Sequence, residues 1–91
     1  MLELNAAYAM AAVEKGRIRV EIGDSDAAVE DLNQALEVDP HSLDAYMLLA
    51  MAYEKSNHLK EAVAAAEEAQ RIRPNVPEVK SLLDRLRSSS L

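Results

Sequence analysis

A chain of 91 residues without cysteine, phenylalanine or tryptophan is long enough for one small domain and can form neither a disulfide nor a thiol nucleophile. Its formal charge of −6 opposes binding to a nucleic-acid backbone, which needs a basic surface, and no apolar run reaches the length that spans a bilayer. No basic residue precedes Lys15 in the opening MLELNAAYAM, so the charged start of a secretion signal is missing, and a soluble, cytoplasmic protein is expected. Ala, Leu and Glu dominate and there are only two Gly, a composition that favours helices over sheets.

Five helices are predicted. The first spans about Glu3 to Ile22, where Leu4, Tyr8, Ala11 and Ala12 suggest an apolar face. Ile18, Val20 and Ile22 alternate with charged residues as in a strand, but an isolated strand would have no partner, and helix is preferred. Gly23 ends this helix, and Asp24, Ser25 or Asp26 caps a second that runs to about Val38 before Asp39-Pro40. Ser42 caps a third, about Leu43 to Lys55, in which Tyr46, Leu49, Ala50 and Tyr53 stand at i, i+3, i+4 and i+7 on one stripe. Asn57 turns the chain into a fourth, about Leu59 to Ile72, which carries Ala62, Ala66 and Ala69 and closes at Pro74, a residue without an N–H to donate. Asn75 as cap, Pro77 in the first turn and Glu78 three residues after the cap start a fifth helix. It reaches about Arg87, with Val79, Leu82, Leu83 and Leu86 on one face and Lys80, Asp84, Arg85 and Arg87 on the other. Ser88 to Leu91 is expected to fray.

Pro40 lies 74 − 40 = 34 residues before Pro74, and the same offset relates Ala11 to Ala45, Ala28 to Ala62, Val29 to Val63 and Ala35 to Ala69. Gly16 aligns with Ala50, and Gly23 with Asn57, the two residue types that best tolerate a left-handed turn. A helix–turn–helix unit of this period, with a large aromatic, Leu, Gly or Ala and an aromatic, then Ala, a large residue, Ala and a closing Pro, is the tetratricopeptide repeat signature. Tyr46, Leu49, Ala50, Tyr53, Ala62, Ala69 and Pro74 fit seven of its eight positions, and Ala66 stands at the eighth, where the family usually has something larger. The chain therefore resembles that family. The resemblance implies an all-α, right-handed superhelix of two hairpins and a C-terminal capping helix. Repeat one would occupy about residues 9–42 after an N-terminal extension 1–8, repeat two about 43–76, and the capping helix about 77–87. The first repeat departs from the pattern, since Lys15 and Arg19 fall where the family has Leu and an aromatic. Either the first helix is rotated or shifted to use Val13, Ile18, Val20 and Ile22, or the first repeat packs loosely.

The residues carry no recognisable catalytic constellation. His41 and His58 both sit in predicted turns without a second ligand at helical spacing. The carboxylate pairs Glu30/Asp31 and Glu67/Glu68 are sequence neighbours, which point apart on a helix and form a solvated face. Arg71 and Arg73 are placed to offset the dipole at a helix C-terminus. Neither enzyme activity, nor a cofactor, nor a metal, nor a small-molecule substrate is expected.

By resemblance, the first helices of successive repeats line a concave groove that holds a peptide or helix of a partner protein. The corresponding positions are Met10, Val13, Arg17 and Val20 in the first repeat and Asp44, Met47, Leu48, Met51, Glu54 and Lys55 in the second. Val13 and Leu48 stand where the carboxylate-clamping version of the family has Lys and Asn, so a clamp is not expected. Met47, Met51 and Val13 would accept apolar side chains, Met being adaptable, and Arg17 would pair with an acidic ligand residue. Leu2, Leu4 and Tyr8, with Met10, have no earlier helix to cover them, and an uncapped apolar end invites a partner: a second copy through the first helix, earlier repeats of a longer array, or the long first helix folded to cap itself. The expected role is a protein–protein interaction adaptor; the alternative is a homo-oligomerisation module joined through its first helix.

Overall fold

The structure, a computed structural model, describes residues 2–89, with side chains from Asn5 onward. It is a row of α1 (Leu2–Ile22), α2 (Ser25–Val38), α3 (Leu43–Lys55), α4 (Leu59–Ile72) and α5 (Pro77–Ser89), with no strand among the described residues. The residues that looked strand-like, Ile18, Val20 and Ile22, lie within α1.

Local chemistry sets the boundaries. Gly23 takes φ 87° after α1 and Asn57 φ 63° after α3, the left-handed geometry their side chains permit. Of the three candidate caps of α2, Asp24 is the one used, its carboxylate accepting from the Ala27 N–H at 3.4 Å. Ser42 Oγ accepts from the Ala45 N–H at 3.2 Å; such a cap contributes about 1 kcal/mol. At α5 the cap position moves by one residue. The Val76 carbonyl, and not Asn75, accepts the first helical bond, from Lys80. The helix also continues through Ser88 and Ser89, where fraying was expected, and Ser89 Oγ donates to the Arg85 carbonyl at 3.0 Å.

α1 pairs with α2 and α3 with α4 as two hairpins, α3 lies on α2, and α5 closes the row against α4. Close approach rests on small residues: Ala28, Ala35, Ala62, Ala66 and Ala69 are wholly buried, so backbones meet at short interaxial distance. α5 buries Val79, Leu82, Leu83 and Leu86. Two arginines tie its outer face back to the row, Arg85 to Glu54 on α3 and Arg87 to Glu67 on α4.

α1 does not turn Ile18 and Ile22 into the core. Val20 is buried, but Ile18 and Ile22 are 53 % and 71 % exposed, so they do not take over the core face. Lys15 and Arg19 stay where the pattern puts them and find a partner instead. Asp31 is only 4 % exposed, and its two carboxylate oxygens are divided between them, Arg19 Nη1 at 2.7 Å and Lys15 Nζ at 4.0 Å. In the second repeat the same positions, 34 residues on, hold Leu49, Tyr53 and Ala65. An apolar trio has been replaced as a unit by an ionic one. Asp31 is thus a buried ion-pair residue, not part of a solvated acidic face.

A second exchange lies beside it. A Cβ on Gly16 would meet Leu32 Cγ and Cδ2 at 2.6 Å, and Leu32 is wholly buried. The corresponding second-repeat pair is Ala50 and Ala66, both wholly buried. Where repeat two divides the space between two methyl groups, repeat one assigns it to a single leucine. The large residue missing at Ala66 is present at Leu32.

Candidate functional site

A cleft of about 610 Å³ opens between the first half of α1 and the α2–α3 connection. Helical spacing delivers Met10, Val13 and Arg17 from successive turns of α1. Opposite them the end of α2 contributes Val38, and the connection into α3 contributes Asp39 and Asp44. The lining is mostly apolar, with Met10 70 % exposed and available to a ligand.

Four of the ten groove residues expected from the sequence, Met10, Val13, Arg17 and Asp44, come together in this cleft. Val20 and Leu48 do not face it. At 2 % and 7 % exposure they belong to the core, because α1 and α3 turn these positions toward the neighbouring helices. Met47 and Met51 are half-buried and packed against the same core. Glu54 is held by the Arg85 guanidinium at 2.7 and 2.9 Å, and that carboxylate raises the Arg85 pKa above the ordinary arginine value. Lys55 Nζ donates to the Val20 carbonyl at 3.0 Å, which also accepts from the Gly23 N–H at 3.2 Å. Arg17 Nε lies 3.1 Å from Glu14 Oε1 one turn away; its cation is already engaged. Asp39 and Val38 were not expected in the lining. Their signal was their place just before Pro40, where the chain must cross from one hairpin to the next.

Of the expected oligomer face, the Leu2 and Leu4 side chains lie outside the described residues. Tyr8 is half exposed, and its hydroxyl donates to Gln34 Oε1 at 3.4 Å. Tyr8, Ala11, Ile18 and Ile22 share the outward face of α1 and all are exposed.

Among the described residues no group of three His, Cys, Asp or Glu side chains converges as metal ligands. His41 and His58 are exposed in their turns, His58 Nδ1 lying 2.9 Å from Ser56 Oγ. The hydrogen bond from Arg71 holds the Glu68 carboxyl below the usual carboxylate range, a surface ion pair away from the cleft. No helix among the described residues is long and apolar enough to cross a membrane.

Two comparisons identify this architecture. The tetratricopeptide repeat family model matches residues 20–86. Among solved structures the chain is similar to the Arabidopsis OM64 TPR domain, with 26 % identity, a TM-score of 0.85, and coverage of 96 % of this chain and 72 % of that one. Among curated proteins none matches. The proline-punctuated period, the alanine-lined hairpins and a family match over most of the length agree, and the chain belongs to the tetratricopeptide repeat family.

Proposed function

We propose that this chain is a protein–protein interaction adaptor without catalytic activity that holds a short segment of a partner protein in the cleft beside α1. The fold is that of a protein-interaction module in general. The observation that carries the finer reading is the pair of uncovered apolar walls, Met10 on α1 and Val38 at the end of α2, facing one 610 Å³ space. A concave, largely apolar lining with a few polar groups at its edge is the general form of a recognition site. A screen of the chain against a peptide library yields binders that lose roughly tenfold in affinity with Met10→Gln/Val38→Gln, since burial of two apolar side chains is forfeited. Both residues are exposed, so the thermal midpoint stays near that of the parent. A library without binders, or binders indifferent to the double substitution, overturns the reading.

A second reading, self-association through α1, draws on the outward face of that helix. Ile18 is 53 % exposed, whereas Ala52, its counterpart 34 residues on, is wholly buried in the stack. Equilibrium sedimentation is expected to show a dimer that Ile18→Glu converts to a monomer without loss of helix content. A monomeric parent at tens of micromolar, a concentration at which weak dimers assemble, counts against it.

A further inference from the structure

The cleft is mostly apolar, but its charges are unequal in a way that no composition count shows. The one cation that lines the cleft, Arg17, is paired within the chain with Glu14. Two carboxylates in the lining have no cationic partner among the described residues. Asp44, in the first turn of α3, makes no ion pair or side-chain hydrogen bond, and Asp39 accepts only the neutral His41 backbone N–H at 3.3 Å. Glu14 also lines the cleft, its charge balanced by Arg17. A ligand with carboxylates would meet these two aspartates and no available cation. A ligand with ammonium or guanidinium groups would complete two ion pairs.

From this charge complementarity we infer that the occupant is a cationic amphipathic segment of a partner protein. Its apolar side chains lie on Met10, Val13 and Val38, and its Lys or Arg residues pair with Asp39 and Asp44. The inference rests on the cleft being the binding site and adds the chemistry of what enters it. It reverses the expectation that Arg17 receives an acidic ligand residue, because the structure places Arg17 on Glu14. Opposite charges in the lining raise the association rate and set orientation, while the apolar contacts hold the segment.

The test uses three fluorescent peptides of about twelve residues, roughly 18 Å as a helix, built from Leu with Lys, Leu with Gln, or Leu with Glu in one pattern, at pH near 7.5. The Leu/Lys peptide is expected to bind, with affinity falling as salt rises, and the Leu/Glu peptide not to bind. Asp39→Asn/Asp44→Asn weakens the Leu/Lys peptide about fivefold, with helix content unchanged by circular dichroism. Glu30→Gln/Glu61→Gln removes the same two charges from exposed positions outside the cleft and leaves binding unchanged. Equal weakening by both double variants would reduce the effect to overall charge and overturn the inference. Equal binding of the Leu/Gln and Leu/Lys peptides would also overturn it, while leaving the cleft as a binding site. If none of the three binds, or if Met10→Gln/Val38→Gln leaves binding untouched, the cleft reading falls and takes the inference with it. A dimer of the chain that Asp39→Asn/Asp44→Asn dissolves would make the occupant a second copy, and the foreign segment would be wrong.

Discussion

Gly16→Ala destabilises the parent chain but stabilises the Leu32→Ala variant. The sign changes because the two residues share one space. Leu32 is among the largest side chains buried without residual exposure, and its truncation costs about 2–5 kcal/mol through lost transfer energy and a cavity. In the parent, a new Cβ on Gly16 stands 2.6 Å from two Leu32 carbons and 3.3 Å from a third. Leu32 cannot swing away, since it is enclosed on all sides. The overpacking costs about 1–3 kcal/mol, more than offsetting the ~1 kcal/mol that Ala gains over Gly inside a helix. Once Leu32 is Ala, the clash is gone, the helix propensity gain remains, and the methyl group fills part of the cavity. The double variant then reproduces the Ala50–Ala66 arrangement of the second repeat. Urea unfolding of the four chains in a double-mutant cycle measures the coupling, expected at about 1–3 kcal/mol. Additivity within about 0.5 kcal/mol, or a neutral Gly16→Ala, would show that the space is not shared.

Arg19→Ala costs more than Lys15→Ala, although both remove one cation from the same carboxylate. Arg19 Nη1 is at hydrogen-bond distance from Asp31, whereas Lys15 Nζ is at 4.0 Å with its side chain 60 % exposed. Removing one partner of a buried pair leaves an uncompensated charge, which costs about 3–5 kcal/mol when both partners are buried. Arg19 is part-exposed, and water reaches the site, so the loss is expected at about 1–3 kcal/mol. Lys15→Ala falls under about 1 kcal/mol. Lys15→Leu/Arg19→Tyr/Asp31→Ala transplants the second repeat's residues. It keeps the fold with stability equal to or above the parent, because a well-packed apolar set commonly matches a buried ion pair. Its new apolar surface makes it self-associate at concentrations where the parent does not. Chemical denaturation and sedimentation of the three variants distinguish these outcomes. A triple variant less stable than Arg19→Ala would mean that the ionic trio performs packing that Leu, Tyr and Ala cannot replace in this setting.

The groove illustrates how far residue pattern reaches toward a site. The family register names Met10, Val13 and Arg17 together, and all three line one cleft. The register cannot separate a residue that faces a ligand from one that faces another helix when both are apolar. Val20 and Leu48 are apolar like Val13, yet they are core. Nor does a cation's presence reveal its availability, as Arg17, Lys55 and Arg85 all show. Neighbours on a helix diverge, and that divergence leaves Glu30 in solvent and turns Asp31 inward toward Arg19.

What residue order alone determined are the features written within one helix or one turn: five helices, the 34-residue period, the left-handed turns at Gly23 and Asn57, the Ser42 cap and the prolines that stop each hairpin. These depend on backbone sterics and on side chains within a few residues of one another. Tertiary structure alone decided which partner answers each irregularity. Arg19 and Asp31 are twelve residues apart on different helices, Gly16 makes room for a leucine on the facing helix, and Lys55 reaches a carbonyl 35 residues away. Charge pairing and the division of space between side chains act across helices, so their outcome is set only when the helices are in contact.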